Sequence, residues 1–185
     1  MNHKLLRRLA PALLALLLAL PAVALAATAQ VPEFGLSVSF PASLDVFTRD
    51  MSPDDPLLAL YGQDTARVRE ELAAAGLYAR AFDIAGDFTL DLAVARQGGQ
   101  APADMDEAAL SALAGQLGGG GYEPFDGASG RGLLVYTADG QGLVALLRAR
   151  DVQLTLRLRA TSPVNARMAN LVRGIASGVD LGQGQ

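Results

Sequence analysis

The feature that most constrains this fold is the run from Val152 to Ala160, in which apolar and polar residues alternate strictly. Its apolar members are Val152, Leu154, Leu156, Leu158 and Ala160, and its polar members are Gln153, Thr155, Arg157 and Arg159. Successive side chains of a β-strand point to opposite faces of a sheet, so the pattern predicts a strand with one buried and one polar face. Such a strand needs neighbours that pair with its backbone and a layer that covers its apolar face.

Other segments of the chain supply those neighbours. The predicted strands are 34–40, 44–48, 77–84, 87–96, 122–125, 131–137 and 143–150. In the segment 87–96 the apolar residues are spaced two apart, and Thr89 and Asp91 lie on the opposite, polar side. A proline predicts that 122–125 lies at a sheet edge, and the glycines 118–121 predict a linker. Because short turns join most of these segments, the sheet is expected to be largely antiparallel.

Helical periodicity and capping residues predict four helices. They are 57–61, 65–75, 104–117 and 163–177. Asp64 precedes the second helix, Asp104 begins the third and Ser162 precedes the fourth, and these residue types cap the amino ends of helices. The expected fold class is α+β, a mostly antiparallel β-sheet with helices packed on it. Residues 30–180 are expected to form one globular domain, followed by a disordered tail at 181–185.

Residues 1–29 have the three parts of an export signal peptide. Basic residues precede the apolar run 12–20, and small residues follow a proline. The A-x-A cleavage pattern fits twice, so cleavage is predicted near 26/27 or 29/30. The alternative is an uncleaved membrane anchor, because residues 9–29 are long enough to span a bilayer. The expected location is secreted or extracytoplasmic.

The charge of the chain argues against one large class of partner. Twelve basic and 19 acidic residues follow Arg8, which gives that part a formal net charge of −7. Binding to nucleic acid needs a basic footprint, so nucleic acid is not expected as a partner. The same balance gives no electrostatic reason to bind an anionic lipid surface, so contact with a membrane is expected only through an uncleaved leader.

Missing residue types exclude most catalytic and cofactor chemistry after the leader. The chain has no cysteine and no tryptophan, and its single histidine and single lysine are His3 and Lys4. Catalysis by Ser-His-Asp, Cys-His or Ser-Lys groups, a lysine Schiff base, and zinc, haem or iron–sulfur sites all need side chains that are absent there. No catalytic residue and no cofactor is predicted.

A metal ion would have to be bound by oxygen ligands, which suits calcium. Asp50, Asp54 and Asp55 form one acidic group. It lacks the Asp-x-Asp-x-Asp-Gly spacing and the following Glu of a calcium loop. A turn followed by a helix start explains the same residues. Metal ligands are therefore not predicted, and folding is expected to be independent of calcium.

The order of several segments resembles one known family. They are FGLSVSFPASLDVFTRD at 34–50, DDPLLALYG at 54–62, LYARAFD at 77–83, LVALLRARDVQLTLRLRA at 143–160, and the closing Ser-Pro helix. Together they resemble small exported bacterial proteins of the PsbP-like superfamily over residues 34–177. The resemblance implies an α/β/α sandwich and offers no shared active site. Similar proteins use an Asn-Gly turn in the hairpin that joins the last two predicted strands, where this chain has Arg148-Ala149-Arg150.

The polar side of the run from Val152 to Ala160 is the candidate surface for a ligand or partner. Arg157 and Arg159 lie on that side, and Thr89 and Asp91 lie on the polar side of another predicted strand. If the two strands are neighbours, the four residues form a charged sheet face that could bind an anionic group. Ordinary cross-strand pairing on a solvated face would explain the same pattern.

Two functions are compatible with these features. The first is an exported, non-catalytic module with a binding or accessory role at the cell envelope, whose partner is an unidentified protein or envelope component. The alternative is a carboxylate-dependent hydrolase that acts on an extracellular polymer, which needs two convergent acids, one with a raised pKa. A shallow charged groove or an exposed apolar patch favours the first function, and paired buried carboxylates favour the second.

Overall fold

Nine strands and four helices make up the part of the chain that the structure, a computed structural model, describes, residues 27–181. The strands are β1 (Ala27–Val31), β2 (Leu36–Phe40), β3 (Leu44–Thr48), β4 (Ala79–Asp83), β5 (Phe88–Arg96), β6 (Gly119–Gly127), β7 (Gly130–Thr137), β8 (Gly142–Ala149) and β9 (Val152–Ala160). The helices are α1 (Pro56–Tyr61), α2 (Thr65–Ala74), α3 (Glu107–Gln116) and α4 (Ala166–Ser177). Two short 3-10 turns, Pro32–Phe34 and Pro102–Asp104, precede β2 and α3.

The sheet is antiparallel throughout. Its strand order is β3-β4-β5-β9-β8-β7-β6, and β1 pairs with β2 in a separate two-stranded ribbon. The strictly alternating run forms β9, the middle strand, between β5 and β8. The predicted α+β class with a mostly antiparallel sheet is confirmed.

One face of the sheet carries the main core. Leu154, Leu156 and Leu158 of β9 are fully buried there, in one cluster with residues of α4 and of the β1–β2 ribbon. Met168 and Val172 come from the apolar stripe of α4. Because side chains alternate along a strand, burial of this face directs the remaining side chains of β9 and of its neighbour β5 to the opposite face.

The opposite face is covered only at its two sides. Over β3 and β4, α2 packs Val68 and Leu72 against Phe47. Over β7 and β8, α3 packs Leu110 against a cluster that includes Val144. The outward side chains of β5 and β9 lie between these two clusters, so a polar strip separates the helices of this layer. Helices thus lie on both faces of the sheet, as the resemblance to the PsbP-like sandwich implied.

The amino end of α3 differs from its prediction. The helix begins at Glu107, and its cap is Asp106, whose side chain accepts a hydrogen bond from the N–H of Ala109 at 2.8 Å. Asp104, the predicted cap, ends the preceding 3-10 turn. That turn is a separate element because Pro102 is buried against the sheet, which fixes the chain before the helix can start.

The predicted start of α4 is also wrong. Asn165 caps the helix and accepts a hydrogen bond from the N–H of Met168 at 3.1 Å, whereas Ser162 lies in the preceding loop. The backbone N–H of Val164 donates to the carbonyl of Gly140 at 2.8 Å. This bond ties the loop before Asn165 to the β7–β8 turn, and the helix starts three residues later than the Ser-Pro signal indicates.

Two strands contain residues that the patterns did not assign to strands. β1 pairs along its whole length with β2, although its residues are part of the predicted leader or directly follow it. The segment 119–121, predicted as a linker, begins β6 and contains a register shift. Gly119 is needed there because a Cβ atom would lie 2.8 Å from the carbonyl oxygen of Ala114 in α3. The glycines therefore let an edge strand pass close to a helix.

The β8–β9 hairpin closes through Arg150 and Asp151. Arg150 has a φ of 56°, and it is the one non-glycine residue between 27 and 181 with a positive φ. Two-residue hairpin loops favour positive φ values, which explains why an Asn-Gly pair is common at such turns. Here only the first of the two loop residues, Arg150, lies in the left-handed region.

The described part of the chain, 27–181, extends slightly beyond both ends of the predicted domain. Of the predicted leader, 1–26 lies outside the described residues and Ala27–Ala29 belong to β1. At the other end, Leu181 is buried, and its N–H donates to Ser129 Oγ at 2.5 Å. The rest of the predicted tail, 182–185, lies outside the described residues. Within 27–181, no helix has the length and apolar character to cross a membrane.

Candidate ligand-binding groove

Cross-strand register brings the four predicted surface residues together. β5 and β9 are neighbours, and Thr89 lies opposite Arg159 while Asp91 lies opposite Arg157. On the other side of β5, Asp91 also lies opposite Arg80 of β4. All five side chains belong to the polar strip between α2 and α3, because their apolar neighbours fill the main core.

Asp91 is the centre of an ion-pair group. It is only 6% exposed, and its two carboxylate oxygens accept hydrogen bonds from Arg80 Nε at 2.7 Å and Arg80 Nη2 at 3.2 Å. Arg159 Nη2 lies 3.6 Å from the same carboxylate. The hydrogen bond to Asp91 raises the pKa of the Arg80 guanidinium, against the opposing effect of its partial burial. A buried carboxylate is tolerated here because a bidentate arginine satisfies it.

Arg157 has no such partner. It is exposed, and it forms no ion pair or hydrogen bond with another residue of the described chain. The surface formed by Arg80, Asp91, Arg157 and Arg159, here called the arginine groove, therefore combines three cations with one carboxylate. A basic groove on a chain with a formal net charge of −4 concentrates a positive potential at one place.

Two open cavities adjoin the arginine groove. One of about 300 Å³ lies beside the end of α2 and is lined by Leu77, Arg80 and Asp91 among others. The second, of about 350 Å³, lies on the β8 side and is lined by Leu117 and Thr137 among others. Arg157 and Arg159 line both cavities, whereas Thr89 lies outside these two. Each volume is at the lower end of the range for small-molecule pockets, about 300–1,000 Å³.

A third, smaller cavity of about 120 Å³ lies on the other side of Arg80. Three rings, Phe47, Tyr61 and Phe82, surround it, with centroids 5.3 Å apart for Phe47–Tyr61 and 6.3 Å for Tyr61–Phe82. Tyr61 Oη donates to Asp45 Oδ2 at 2.6 Å, and this hydrogen bond, together with burial, raises the pKa of the Tyr61 phenol. We call this cavity the aromatic pocket. Arg80 lines both the pocket and the groove.

One residue that lines the aromatic pocket has a buried polar atom without a partner. Gln63 Oε1 is shielded from solvent and accepts no hydrogen bond within the described part of the chain. Gln63 directly follows Gly62, whose φ of 61° ends α1 in the left-handed conformation. Buried acceptors without donors are rare, since each costs free energy unless a water or ligand satisfies it.

Neither a protein-family model nor a curated protein sequence matches the chain. Among solved structures, the chain is similar to the solution structure of cyanobacterial PsbP (CyanoP) from Synechocystis sp. PCC 6803, with a TM-score of 0.51 and 11% sequence identity. The match covers 88% of this chain and 95% of that chain. The chain has a PsbP-like fold.

At this sequence identity the structural similarity shows a PsbP-like fold and no shared function. It confirms the PsbP-like fold that the order of segments indicated. The arginine groove and the aromatic pocket consist of this chain's own residues. The likeness assigns no functional role to any of them.

The acidic residues considered for metal or acid–base chemistry have other contacts in this PsbP-like domain. The Asp55 side chain caps α1 by accepting a hydrogen bond from the N–H of Leu57 at 2.9 Å. Between 27 and 181, no three His, Cys, Asp or Glu residues are grouped so that they could hold a metal ion. The buried acids Asp83 and Asp91 lie on opposite faces of the sheet, and Asp83 pairs with Arg167 of α4 at 3.1 Å.

Sequence reasoning found the arginine groove only in part and missed the aromatic pocket. Arg80 and Phe82 alternate with buried Ala79 and Ala81, so the period of two could have placed both on the polar face. Nothing in the local pattern indicates that Tyr61, from a separate helix, stacks on Phe82. That contact depends on how α1 packs over the sheet.

Proposed function

We propose that this PsbP-like domain is an exported, non-catalytic module that acts by binding an anionic group of a partner at the cell envelope. The arginine groove is the binding surface. The proposal rests on Arg157. This arginine is exposed, it has no protein partner among the described residues, and it lines two open cavities. Guanidinium groups recognise carboxylates and phosphates through paired charge-assisted hydrogen bonds.

Export enters the proposal through the leader pattern of residues 1–29. The non-catalytic role is supported by the absence of cysteine, and of histidine and lysine after position 4. The hydrolase alternative has less support, because its two acids must converge on one bond and the buried pair Asp83 and Asp91 faces opposite sides of the sheet.

The test is capture of a partner from envelope extract by the purified chain and by three variants. Arg157→Ala and Arg159→Ala change the groove, and Arg96→Ala is the matched control, because Arg96 pairs with Asp151 at 2.7 Å on the other face of the sheet. We expect wild type and Arg96→Ala to capture the same component, and Arg157→Ala to lose most of it. Equal capture by all four proteins would show that the groove is ordinary surface. Cleavage of an envelope polymer by the wild type would favour the hydrolase.

A further inference from the structure

We infer that the group bound in the arginine groove belongs to a peptide segment that also places one apolar side chain in the aromatic pocket. This inference rests on the proposed function and narrows it to a class of partner. The occupant is an extended segment of another protein, with an apolar residue and an acidic residue a few positions apart.

The groove and the pocket lie in one row across the sheet. Phe47 is opposite Arg80, Arg80 is opposite Asp91, and Asp91 is opposite Arg157. Neighbouring strands are about 4.8 Å apart, so three spacings separate Phe47 from Arg157 by about 14 Å. An extended chain covers this distance in about four residues, at about 3.3–3.6 Å for each. One short segment can therefore reach both places.

The size of the aromatic pocket fits a single side chain. Its volume of about 120 Å³ is below the range of about 300 Å³ and more that whole small-molecule ligands occupy. It is close to the roughly 150 Å³ of an apolar cavity that accepts benzene. Val68 and Leu72 of α2 complete its apolar wall between the rings. A leucine-sized or aromatic side chain is therefore the matching anchor, as in the buried anchors of protein interfaces.

Gln63 favours a peptide over other anions with an apolar part. Gln63 lines the aromatic pocket, and its buried Oε1 has no hydrogen-bond donor among the described residues. When the Gln63 side chain turns into the pocket, Oε1 can accept from the backbone N–H next to an anchored side chain, whereas a fatty acid, an aliphatic carboxylate or a phosphate ester offers no such donor. Gln63 Oε1 and the arginines would thus bind different parts of the same ligand.

The charges fix the direction of the segment across the sheet. Glu71 of α2 lines the aromatic pocket, and Arg80, the cation of that pocket, is already paired with Asp91, so an acidic residue is disfavoured at that end. Arg157 and Arg159 attract the acid at the other end. The apolar residue therefore lies over β3 and β4, and the acidic residue lies over β9.

The test uses capped Gly-Ser peptides with one leucine and one glutamate, titrated into the ¹⁵N-labelled chain. The separation between the two residues is varied around the four residue steps that the row predicts. Control peptides replace the glutamate with glutamine or the leucine with alanine. Protein variants are Arg157→Ala with Arg96→Ala as its control, and Tyr61→Ala with Leu60→Ala, an exposed neighbour outside the aromatic pocket, as its control.

We expect tightest binding near four steps, with shifts at residues of both the groove and the pocket. Arg157→Ala should weaken binding of the leucine–glutamate peptide about tenfold and leave the glutamine peptide unchanged. Tyr61→Ala should weaken the leucine peptides and leave the alanine peptide unchanged. The two controls should bind like wild type.

Several results would overturn the inference while leaving the anionic groove in place. They are equal binding of the leucine and alanine peptides, a flat dependence on separation, or acetate or phosphate alone binding as tightly as the peptide. The peptide substitutions give this answer even if Tyr61→Ala fails to fold. Absence of binding by any peptide also contradicts it. If Arg157→Ala changes neither peptide binding nor capture of the envelope partner, the proposed function itself fails.

Discussion

At the scale of single residues, Asp91 sets both the stability and the charge of the arginine groove. Its buried carboxylate holds Arg80 in a bidentate pair and lies near Arg159, while Arg157 has no counterion among the described residues. The carboxylate therefore reduces the positive charge that a bound anion would meet. It also fixes the position of Arg80 in the groove.

Asp91→Asn should change stability and anion binding in opposite directions. The free energy of unfolding should fall by about 1–3 kcal/mol, because Arg80 loses its ionised partner and three arginines then repel one another. Since Arg80 is partly exposed, solvent reduces the loss below that of a fully buried pair. Affinity for the acidic peptide should rise, because one negative charge leaves the groove. Urea denaturation and peptide titration measure the two effects, and Glu71→Ala, at an exposed ion pair, should leave stability nearly unchanged. Weaker peptide binding by Asp91→Asn would contradict this account.

Asp139 makes the β7–β8 turn sensitive to acid. Its side chain accepts hydrogen bonds from Thr137 Oγ1 at 2.5 Å and from the N–H of Gln141 at 2.9 Å, and both lower its pKa. A pKa that is lower in the folded state adds stability above the unfolded value of about 3.9, and this stability is lost as the pH falls through the folded value. Asp139→Ala should therefore be less stable than wild type at neutral pH, and the difference should shrink below about pH 4. Denaturation at several pH values measures this, and a difference independent of pH would contradict it.

At the scale of secondary structure elements, the start of α4 shows how tertiary contacts choose between two competent caps. Ser162 followed by a proline is a strong helix-start signal, yet Asn165 is the residue that bonds the first turn. The N–H of Val164 donates to the carbonyl of Gly140, which ties the segment before Asn165 to the β7–β8 turn.

Substitution of these two residues separates the alternatives. Asn165→Ala should lower the free energy of unfolding by about 1 kcal/mol, because the Met168 N–H loses its acceptor. Ser162→Ala should change it by less than about 0.5 kcal/mol, since surface substitutions away from caps have small effects. Chemical denaturation of both variants measures this. A larger loss for Ser162→Ala would place the functional cap at the position predicted from sequence.

At the scale of the whole molecule, the β1–β2 ribbon connects the predicted export signal with the fold. β1 begins at Ala27, and Ala29 is 0% exposed in the main core. Of the two predicted cleavage sites, the one at 26/27 leaves β1 complete, and the one at 29/30 removes three of its residues.

We therefore expect cleavage of the predicted leader at 26/27, so that the mature chain begins at Ala27. Loss of Ala27–Ala29 would remove their cross-strand pairs with Val38, Ser39 and Phe40 and leave part of the core uncovered. Intact-mass analysis of the protein isolated from the extracytoplasmic fraction measures the start directly. A mass that begins at Gln30 would show that the core tolerates a shorter β1, and retention of Met1 would favour the anchor alternative.

Local pattern was sufficient for most of the elements. The period of two along Val152–Ala160 and 87–96 gives two strands and the face of each that is buried, since successive side chains of a regular strand point to opposite faces. The composition also limits the chemistry, because a chain without cysteine, and without histidine or lysine after the leader, has few groups for catalysis or metal binding. Both properties depend only on residue types and their spacing, so they can be read before the chain folds.

Tertiary structure alone decided which of these residues meet. The order of strands placed Arg80 and Arg157 on either side of Asp91, although 77 positions separate the two arginines along the chain. The packing of α1 brought Tyr61 onto Phe82 and left Gln63 Oε1 without a donor. Strand order and helix docking depend on how the complete set of apolar faces is buried, which no single segment encodes. The groove and the pocket therefore exist only in the folded chain.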